Sequence, residues 1–192
     1  CYIVACERTR QALVVDPGDE GARVLAAVEA ASLQVGAVVN THGHFDHVGA
    51  NRALVEATGA PLLIHAADQP LLARAADHAA RYGLRASASP PPLRTVDDGE
   101  TLPVGDLAVR IIHTPGHTPG GICLLVDGHL FAGDTLFADS VGRTDLPGGS
   151  HELLVASIRE KLFALPDGTV VHPGHGPDTT IGREKRGNPY VG

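Results

Sequence analysis

The sequence predicts an α/β domain, on three observations. Strand-like apolar runs alternate with helical patterns in the first third of the chain. Beyond about residue 93 the pattern changes to strands, and an amphipathic helix and one more strand follow. The 192 residues, 43% of them hydrophobic and 19% charged, are enough to bury a core and are too apolar for a disordered chain. Because such alternation is typical of layered α/β folds and no linker divides the chain, a single domain over 1–192 is expected.

The first half of the chain contains four predicted strands and three helical regions. Each strand is a short aliphatic run bounded by charged or turn-forming residues. Asp19 is a candidate cap for the first helix, in which apolar residues recur at helical spacing. The strands are predicted at 1–6, 12–16, 37–40 and 61–64, and the helices at 20–31, 49–58 and, as one or two short helices, 66–85.

The second half is predicted to consist mostly of strands. Three consecutive prolines at 90–92 mark a loop that precedes them. Asp127-Gly128 is typical of a tight hairpin turn between two strands. The strands are predicted at 107–112, 122–126, 129–131 and 169–171, and an amphipathic helix at 151–163.

Composition and charge exclude several classes of protein. A net charge of −7 and only 4% aromatic residues argue against a general nucleic-acid surface. No apolar run approaches the 18 residues of a membrane span. Three cysteines are too few and too odd in number for a disulfide scaffold, which predicts a cytoplasmic protein. Because the chain has no Met and opens at Cys1 inside a strand-like run, we expect the natural chain to begin earlier.

Histidine is the unusual residue, with eleven in the chain, and the central motif is Thr41-His42-Gly43-His44-Phe45-Asp46-His47 directly after a predicted strand. His42 and His44 are two residues apart, so both can face one point in an extended loop. Asp46 and His47 can then reach a second point close by. Imidazole nitrogens and carboxylate oxygens are ligands for zinc and iron, so the motif predicts a metal site rather than a solvated loop.

Three further candidate ligands each follow a predicted strand. His117 lies in a turn rich in Pro and Gly, Asp134 follows the strand that ends near Phe131, and His175 lies in His172-Pro173-Gly174-His175-Gly176. All of these positions are at carboxyl ends of strands, so the side chains can converge on one rim of a sheet. Asp16-Pro17-Gly18 is a turn by sequence and also a candidate to orient a ligand histidine.

The order of these motifs resembles that of the metallo-β-lactamase-fold hydrolases, and within them is most similar to the short, single-domain type of glyoxalase II. This resemblance covers nearly the whole chain and implies a four-layer αββα sandwich. It also implies two metal ions at the sheet edges. One would be bound by His42, His44 and His117, the other by Asp46, His47 and His175, and Asp134 would bridge them.

The resemblance further implies hydrolysis of a thioester such as S-lactoylglutathione by a metal-bridging hydroxide, with Asp46 orienting that hydroxide. The cofactors would be two divalent metal ions, with zinc as the first choice and iron or manganese as alternatives. Arg143 matches a loop in which glyoxalase II contacts glutathione with a basic residue. Arg183 is a second candidate for a substrate carboxylate, or else part of a solvated helix face. The expected partner is therefore a small anionic thiol ester.

Three other functions stay open. Persulfide dioxygenases share the string Gly142-Arg143-Thr144-Asp145 and use one iron on this scaffold, which would make the chain an oxidoreductase. A lactonase or other esterase would use the same ligands, and a metal bound only for stability would involve no catalysis. Zinc β-lactamases of the common type carry Cys where this chain has Asp134, which argues against that activity. Glyoxalase II proper has a C-terminal helical domain that holds glutathione, whereas only 17 residues follow His175 here, so the short, single-domain type is expected.

Overall fold

The computed structural model describes residues 1–192, which divide into two compact units. Unit 1 consists of Cys1–Val96 and Pro103–Ala108, and unit 2 of Asp97–Leu102 and Val109–Gly192. The single domain expected over 1–192 stays a prediction. None of the helices combines the length and the hydropathy that a membrane span requires.

Unit 1 contains a five-stranded sheet and five short α-helices. The strands are β1 (Tyr2–Ala5), β2 (Gln11–Val15), β3 (Gln34–Val39), β4 (Leu62–His65) and β5 (Arg94–Val96), and the helices are α1 (Gly21–Ala30), α2 (Phe45–Val48), α3 (Asn51–Thr58), α4 (Gln69–Ala73) and α5 (Ala75–Arg81). The strands lie in the order β1-β2-β3-β4-β5. β1 and β2 pair antiparallel, while every later neighbour is parallel. Because β2 and β3 are parallel, the segments that follow them begin at the same edge of the sheet.

The core of unit 1 lies between this sheet and its helices. β-Branched and aliphatic side chains on one face of the strands pack against the apolar sides of α2, α3 and α4. This burial holds the segment from 40 to 50, which carries the His-rich motif, against the sheet. The fully packed members include Val14, Val38, Val48, Leu54, Leu62, Ile64 and Leu72.

The rest of the chain contributes eight strands, two α-helices and a π-helix. The strands are β6 (Thr101–Val104), β7 (Leu107–His113), β8 (Ile122–Val126), β9 (His129–Gly133), β10 (Leu136–Phe137), β11 (Ser140–Val141), β12 (Val170–Pro173) and β13 (Thr179–Thr180), and the helices are α6 (His151–Ser157), the π-helix Ile158–Leu162 and α7 (Ile181–Gly187). Six of the strands form a sheet in the order β13-β12-β9-β8-β7-β6, and β10 pairs with β11 alone.

Strand direction in this second sheet places the later motifs at one edge. β9 and β12 are parallel, and Gly133 is the register partner of Pro173. β8 is antiparallel to both β9 and β7, so β7 runs in the same direction as β9. The segments that carry His117, Asp134 and His175 therefore all leave from carboxyl ends at the same edge of the sheet.

Most predicted elements are present, with three differences. Residues 45–48, expected in a loop, form α2, because Val48 packs into the core. The helix predicted over 151–163 turns into a π-helix after Ser157. The proposed cap at Asp19 was wrong, since its carboxylate accepts the N–H of the adjacent Glu20 at 2.7 Å and makes no bond to the first turn of α1.

Gly116 tests how tightly the turn after β7 packs. Its φ is 139°, and an added Cβ would lie 2.5 Å from the Cβ of Leu154 and closer still to that residue's backbone in α6. We expect Gly116→Ala to lower the free energy of unfolding by about 2 kcal/mol or more. Urea denaturation measures this, with Gly168→Ala as the control because a Cβ there meets no atom within 4 Å. Equal stability of the two variants would contradict the packing described.

Candidate metal centre

The loop after β3 and the short helix α2 bring three imidazole rings together within unit 1. The ring centroids of His42 and His47 are 4.1 Å apart, and those of His42 and His44 are 4.8 Å apart. His42 and His47 are buried, whereas the side chain of Asp46 is 40% exposed. The first motif is therefore a compact cluster of ligand atoms with a carboxylate at its rim.

The buried carboxylate of Asp16 holds this loop. One oxygen accepts the backbone N–H of Thr41 at 2.7 Å, and the other accepts the Thr41 hydroxyl at 2.5 Å and the Nδ1–H of His47 at 2.9 Å. A proton held on Nδ1 presents the Nε2 lone pair of His47 as a candidate metal ligand, as in the carboxylate–histidine pairs of metal sites. Asp16 is thus the residue that orients His47, the second of the two roles considered for it from sequence.

Two further buried groups support the loop and carry no signal in the sequence. Asp68, which is fully buried, accepts the N–H of Gly43 at 2.9 Å, between the first two histidines of the motif. The Asn40 amide donates to the carbonyl of His47 at 3.3 Å and is paired with the Asn51 amide. Asp68 and Asn51 lie outside every motif of the sequence, so only the fold identifies them.

Unit 2 brings the other three predicted ligands together, with His117 and His175 both near Asp134. The Nε2 atom of His117 lies 3.7 Å from one carboxylate oxygen of Asp134, and the Nε2 atom of His175 lies 3.6 Å from the same oxygen. The side chain of His117 is 5% exposed, that of Asp134 is 12% exposed, and that of His175 is 57% exposed. One carboxylate oxygen is therefore shared between two imidazoles.

The main chain of Arg143 orients His117. Its carbonyl accepts the Nδ1–H of His117 at 2.7 Å, which directs Nε2 toward Asp134. The chain can return this close only because residue 142 is Gly, since a Cβ there would overlap the carbonyl oxygen of Asp134. Sequence reasoning selected Arg143 for its side chain and missed this role of its backbone.

The distances between these nitrogen and oxygen atoms suit binding to a shared metal ion better than hydrogen bonding to each other. The Nε2 of His47 lies 3.7 Å from a carboxylate oxygen of Asp46, and the two contacts to Asp134 have similar lengths. These separations are long for hydrogen bonds. Two ligands at about 2.1 Å from one tetrahedral ion would be roughly 3.4 Å apart. Imidazole and carboxylate donors at this spacing suit zinc, iron or manganese.

The two arginines proposed for substrate binding already have carboxylate partners. Arg143 forms two hydrogen bonds of 2.8 Å with Asp145, and these bonds lower the pKa of Asp145 to about 2. Arg183 binds Asp139 and lies 3.8 Å from the buried carboxylate of Glu184. Both arginine side chains remain more than half exposed, so each can still meet a ligand from solvent.

Residues 1–175 match the profile of the metallo-beta-lactamase superfamily, and the chain belongs to this family. Hydroxyacylglutathione hydrolase GloC of Haemophilus influenzae is 38% identical to it over 186 residues, which cover 95% of this chain and 88% of that protein. The probable metallo-hydrolase YqgX of Bacillus subtilis is 38% identical over 185 residues, with 94% and 87% covered. These relatives confirm the resemblance to glyoxalase II and define a metal-dependent hydrolase.

Solved structures confirm the predicted α/β sandwich. TTHA1623 in a di-iron-bound form has a TM-score of 0.91 and 41% identity, covering 99% of this chain and 93% of that one. BLEG-1, a B3 metallo-beta-lactamase, has a TM-score of 0.92 and 35% identity, covering 99% of this chain and 92% of that one. ETHE1 from Myxococcus xanthus has a TM-score of 0.82 and 34% identity, covering 99% of this chain and 78% of that one. Of these three structures, BLEG-1 is the one named for an activity, that of a B3 metallo-beta-lactamase.

The role of Asp16 can be tested through metal affinity. We expect Asp16→Ala to weaken the binding of one metal ion by about 10- to 100-fold, because His47 loses the partner that fixes its ring. Metal content after dialysis against a graded chelator series measures this. Asp77→Ala removes an exposed carboxylate of the same unit and is the matched control. Wild-type metal retention by the Asp16 variant would contradict the orienting role.

The pairing of Arg143 with Asp145 predicts an unusual titration. Because the folded-state pKa of Asp145 is lowered, the ion pair stabilises the folded state at pH values above 3.8, the ordinary pKa of the group. This contribution is lost as the pH falls through about 2. Carboxyl NMR shifts should give a midpoint of about 2 in the wild type and a higher one in Arg143→Gln, which loses the largest cause of the lowered pKa. Arg186→Gln, which breaks a different exposed ion pair, should leave the midpoint unchanged. An unshifted midpoint in the wild type would show that the pair does not form in solution.

Proposed function

We propose that this protein is a dinuclear metal-dependent hydrolase that cleaves a thioester such as S-lactoylglutathione into a hydroxy acid and a thiol. The observation that carries the proposal is the Asp134 carboxylate oxygen that both His117 and His175 approach. A carboxylate in that position is suited to bridge two ions. The similarity to GloC, which is named a hydroxyacylglutathione hydrolase, supports the substrate class.

The proposed ligand sets are those implied by the motif order. His42, His44 and His117 would bind one ion, Asp46, His47 and His175 the other, and Asp134 both. The contacts within each unit support this assignment, because the Nδ1 atoms of His42, His47 and His117 bond Thr41, Asp16 and the carbonyl of Arg143. Ring nitrogens fixed in this way present Nε2 to an ion. Zinc is the proposed metal, and the di-iron form of TTHA1623 keeps iron as the alternative.

When bound, the metal ions would supply hydroxide at neutral pH and polarise the thioester carbonyl. Asp46 is 40% exposed, so its carboxylate can accept a hydrogen bond from the attacking water and align it. Asp46 and Asp134 offset two of the four charges of two divalent ions. The remaining positive charge would favour an anionic substrate. A thiolate leaves without a strong acid, so the chain needs no separate proton donor.

Arg143 and Arg183 are the proposed contacts for the carboxylates of the substrate. Each is paired with an exposed aspartate, and a substrate carboxylate could replace Asp145 or Asp139 without leaving a buried charge. Such contacts would strengthen substrate binding without acting in the chemical step, so their loss would raise KM more than it lowers kcat. The cytoplasm is the proposed compartment, on the low and odd cysteine count.

A second candidate is an iron-dependent persulfide dioxygenase, in which one ion would occupy the site. The likeness to ETHE1 and the shared string 142–145 favour it. Its ligand residues would be a subset of those of the hydrolase, so residue identity does not separate the two. A lactonase or other esterase would use the same hydroxide on a different ester. Metal identity and substrate turnover therefore decide between these activities.

The test is turnover by apo-protein reconstituted separately with zinc and with iron. Zinc has no redox chemistry, so hydrolysis of S-lactoylglutathione by the zinc form would establish the hydrolase. Parallel assays would use a lactone, a β-lactam, and glutathione persulfide with oxygen consumption as the readout. We expect the zinc form to be active on the thioester and Asp46→Asn to lose most of that activity. Oxygen consumption by the iron form without thioester turnover by either form would overturn the proposal.

A further inference from the structure

His175 is the most exposed of the seven proposed ligands, and its turn is fastened at both ends. Before it, the N–H of Gly174 donates to the carbonyl of Gly133 at 2.7 Å, next to Asp134. After it, the carboxylate of Asp178 lies 3.0 Å from Nδ1 of His172. The His172–Asp178 pair therefore closes a short loop around His175 by a side-chain contact outside the ligand set.

His172 is a rigid anchor for that contact. It is the register partner of Phe131 in the parallel pairing of β12 with β9, and its ring stacks on Phe131 with centroids 5.0 Å apart. Its Nε2 lies 2.9 Å from Nδ1 of His129, and the two imidazole planes differ by only 12°. The His172 side chain is 17% exposed. Two residues of β9, Phe131 and His129, hold the ring in place, so its contact with Asp178 ties the turn to the sheet.

A proton on Nδ1 of His172 satisfies the contact with the Asp178 carboxylate, which can only accept. Nε2 of His172 and Nδ1 of His129 share a second proton across their 2.9 Å contact. The carboxylate fixes the orientation of His172 as Asp16 fixes that of His47, although here the fixed ring is not itself a ligand.

We infer that Asp178 and His172 are positioning residues that hold the His175 turn and thereby set the affinity of the second metal ion. The inference rests on the proposed function, in which His175 binds that ion. A ligand that is more than half exposed gains little from packing, so the cost of ordering its turn must be met by contacts such as this one. Without the pair, the turn keeps the backbone bond of Gly174 and the pairing of Val171 with Thr179, and loses the side-chain contact between these two points.

The experiment titrates metal-free full-length protein with Co²⁺ and follows the visible absorption and the bound stoichiometry. We expect the wild type to bind two ions. Asp178→Ala should bind the first with unchanged affinity and the second about tenfold or more weakly. Asp178→Asn should recover part of the loss, because its amide oxygen still accepts from Nδ1–H. His172→Phe, which keeps the stack on Phe131 but has no Nδ1–H, should lose as much as Asp178→Ala.

The control is Asp167→Ala, which breaks an exposed ion pair with Arg186 in the same unit and should bind both ions like the wild type. The Tm of each metal-free variant separates positioning from folding, and we expect all of them to match the wild type. Unchanged affinity for the second ion in Asp178→Ala, or equal weakening of both ions with a lowered Tm, would overturn the inference. A wild type that binds one ion would instead show that the dinuclear proposal is wrong, and the inference would fall with it.

Discussion

Hydrogen bonds to one buried carboxylate, that of Asp16, hold much of the first motif in place. Asp16 reaches the backbone and hydroxyl of Thr41 and the ring of His47, so it fixes both the start and the end of the segment that bears four proposed ligands. Its backbone lies in the left-handed region, at a φ of 47°, a strained position for a residue other than Gly. Burial of an acidic group costs free energy unless it is bonded on several sides, as it is here. The parallel pairing of β2 with β3 makes the contact possible, because both strands end at the same edge.

The same design recurs in unit 2 with different groups. A backbone carbonyl, that of Arg143, holds His117, and the close approach of Gly142 to Asp134 brings that carbonyl into reach. Fixing Nδ1 in either way leaves Nε2 for an ion, which removes the tautomer ambiguity of a neutral imidazole. His175 has the least burial among these ligands, and this is why the neighbouring His172–Asp178 pair matters for it.

The side chains proposed to meet the substrate differ from the ligands in this respect. Arg143 and Arg183 lie at the surface, each bound to an aspartate that is itself exposed. Exposed pairs of this kind contribute little to stability, so a competing carboxylate can displace them at small cost. Substrate choice is therefore the property most easily changed on this scaffold. That agrees with the different names of two similar proteins, the hydroxyacylglutathione hydrolase GloC and the B3 metallo-beta-lactamase BLEG-1.

The proposed ligand residues could be selected from the sequence because metal chemistry restricts ligands to a few residue types at short spacings after strands. His42, His44, Asp46 and His47 form one contiguous motif, and the strand pattern located His117, Asp134 and His175. The supporting groups could not be predicted, since Asp68, Asn51 and the carbonyl of Arg143 act across distances in sequence that no local pattern encodes. The short helix α2 was missed for the same reason, because packing of Val48 rather than local propensity forms it. The sequence by itself determined the class of chemistry and the order, along the chain, of the strands that precede the proposed ligands. Tertiary structure alone decided which groups hold the ligands in place, because hydrogen bonds between distant segments depend on strand register and close backbone approach.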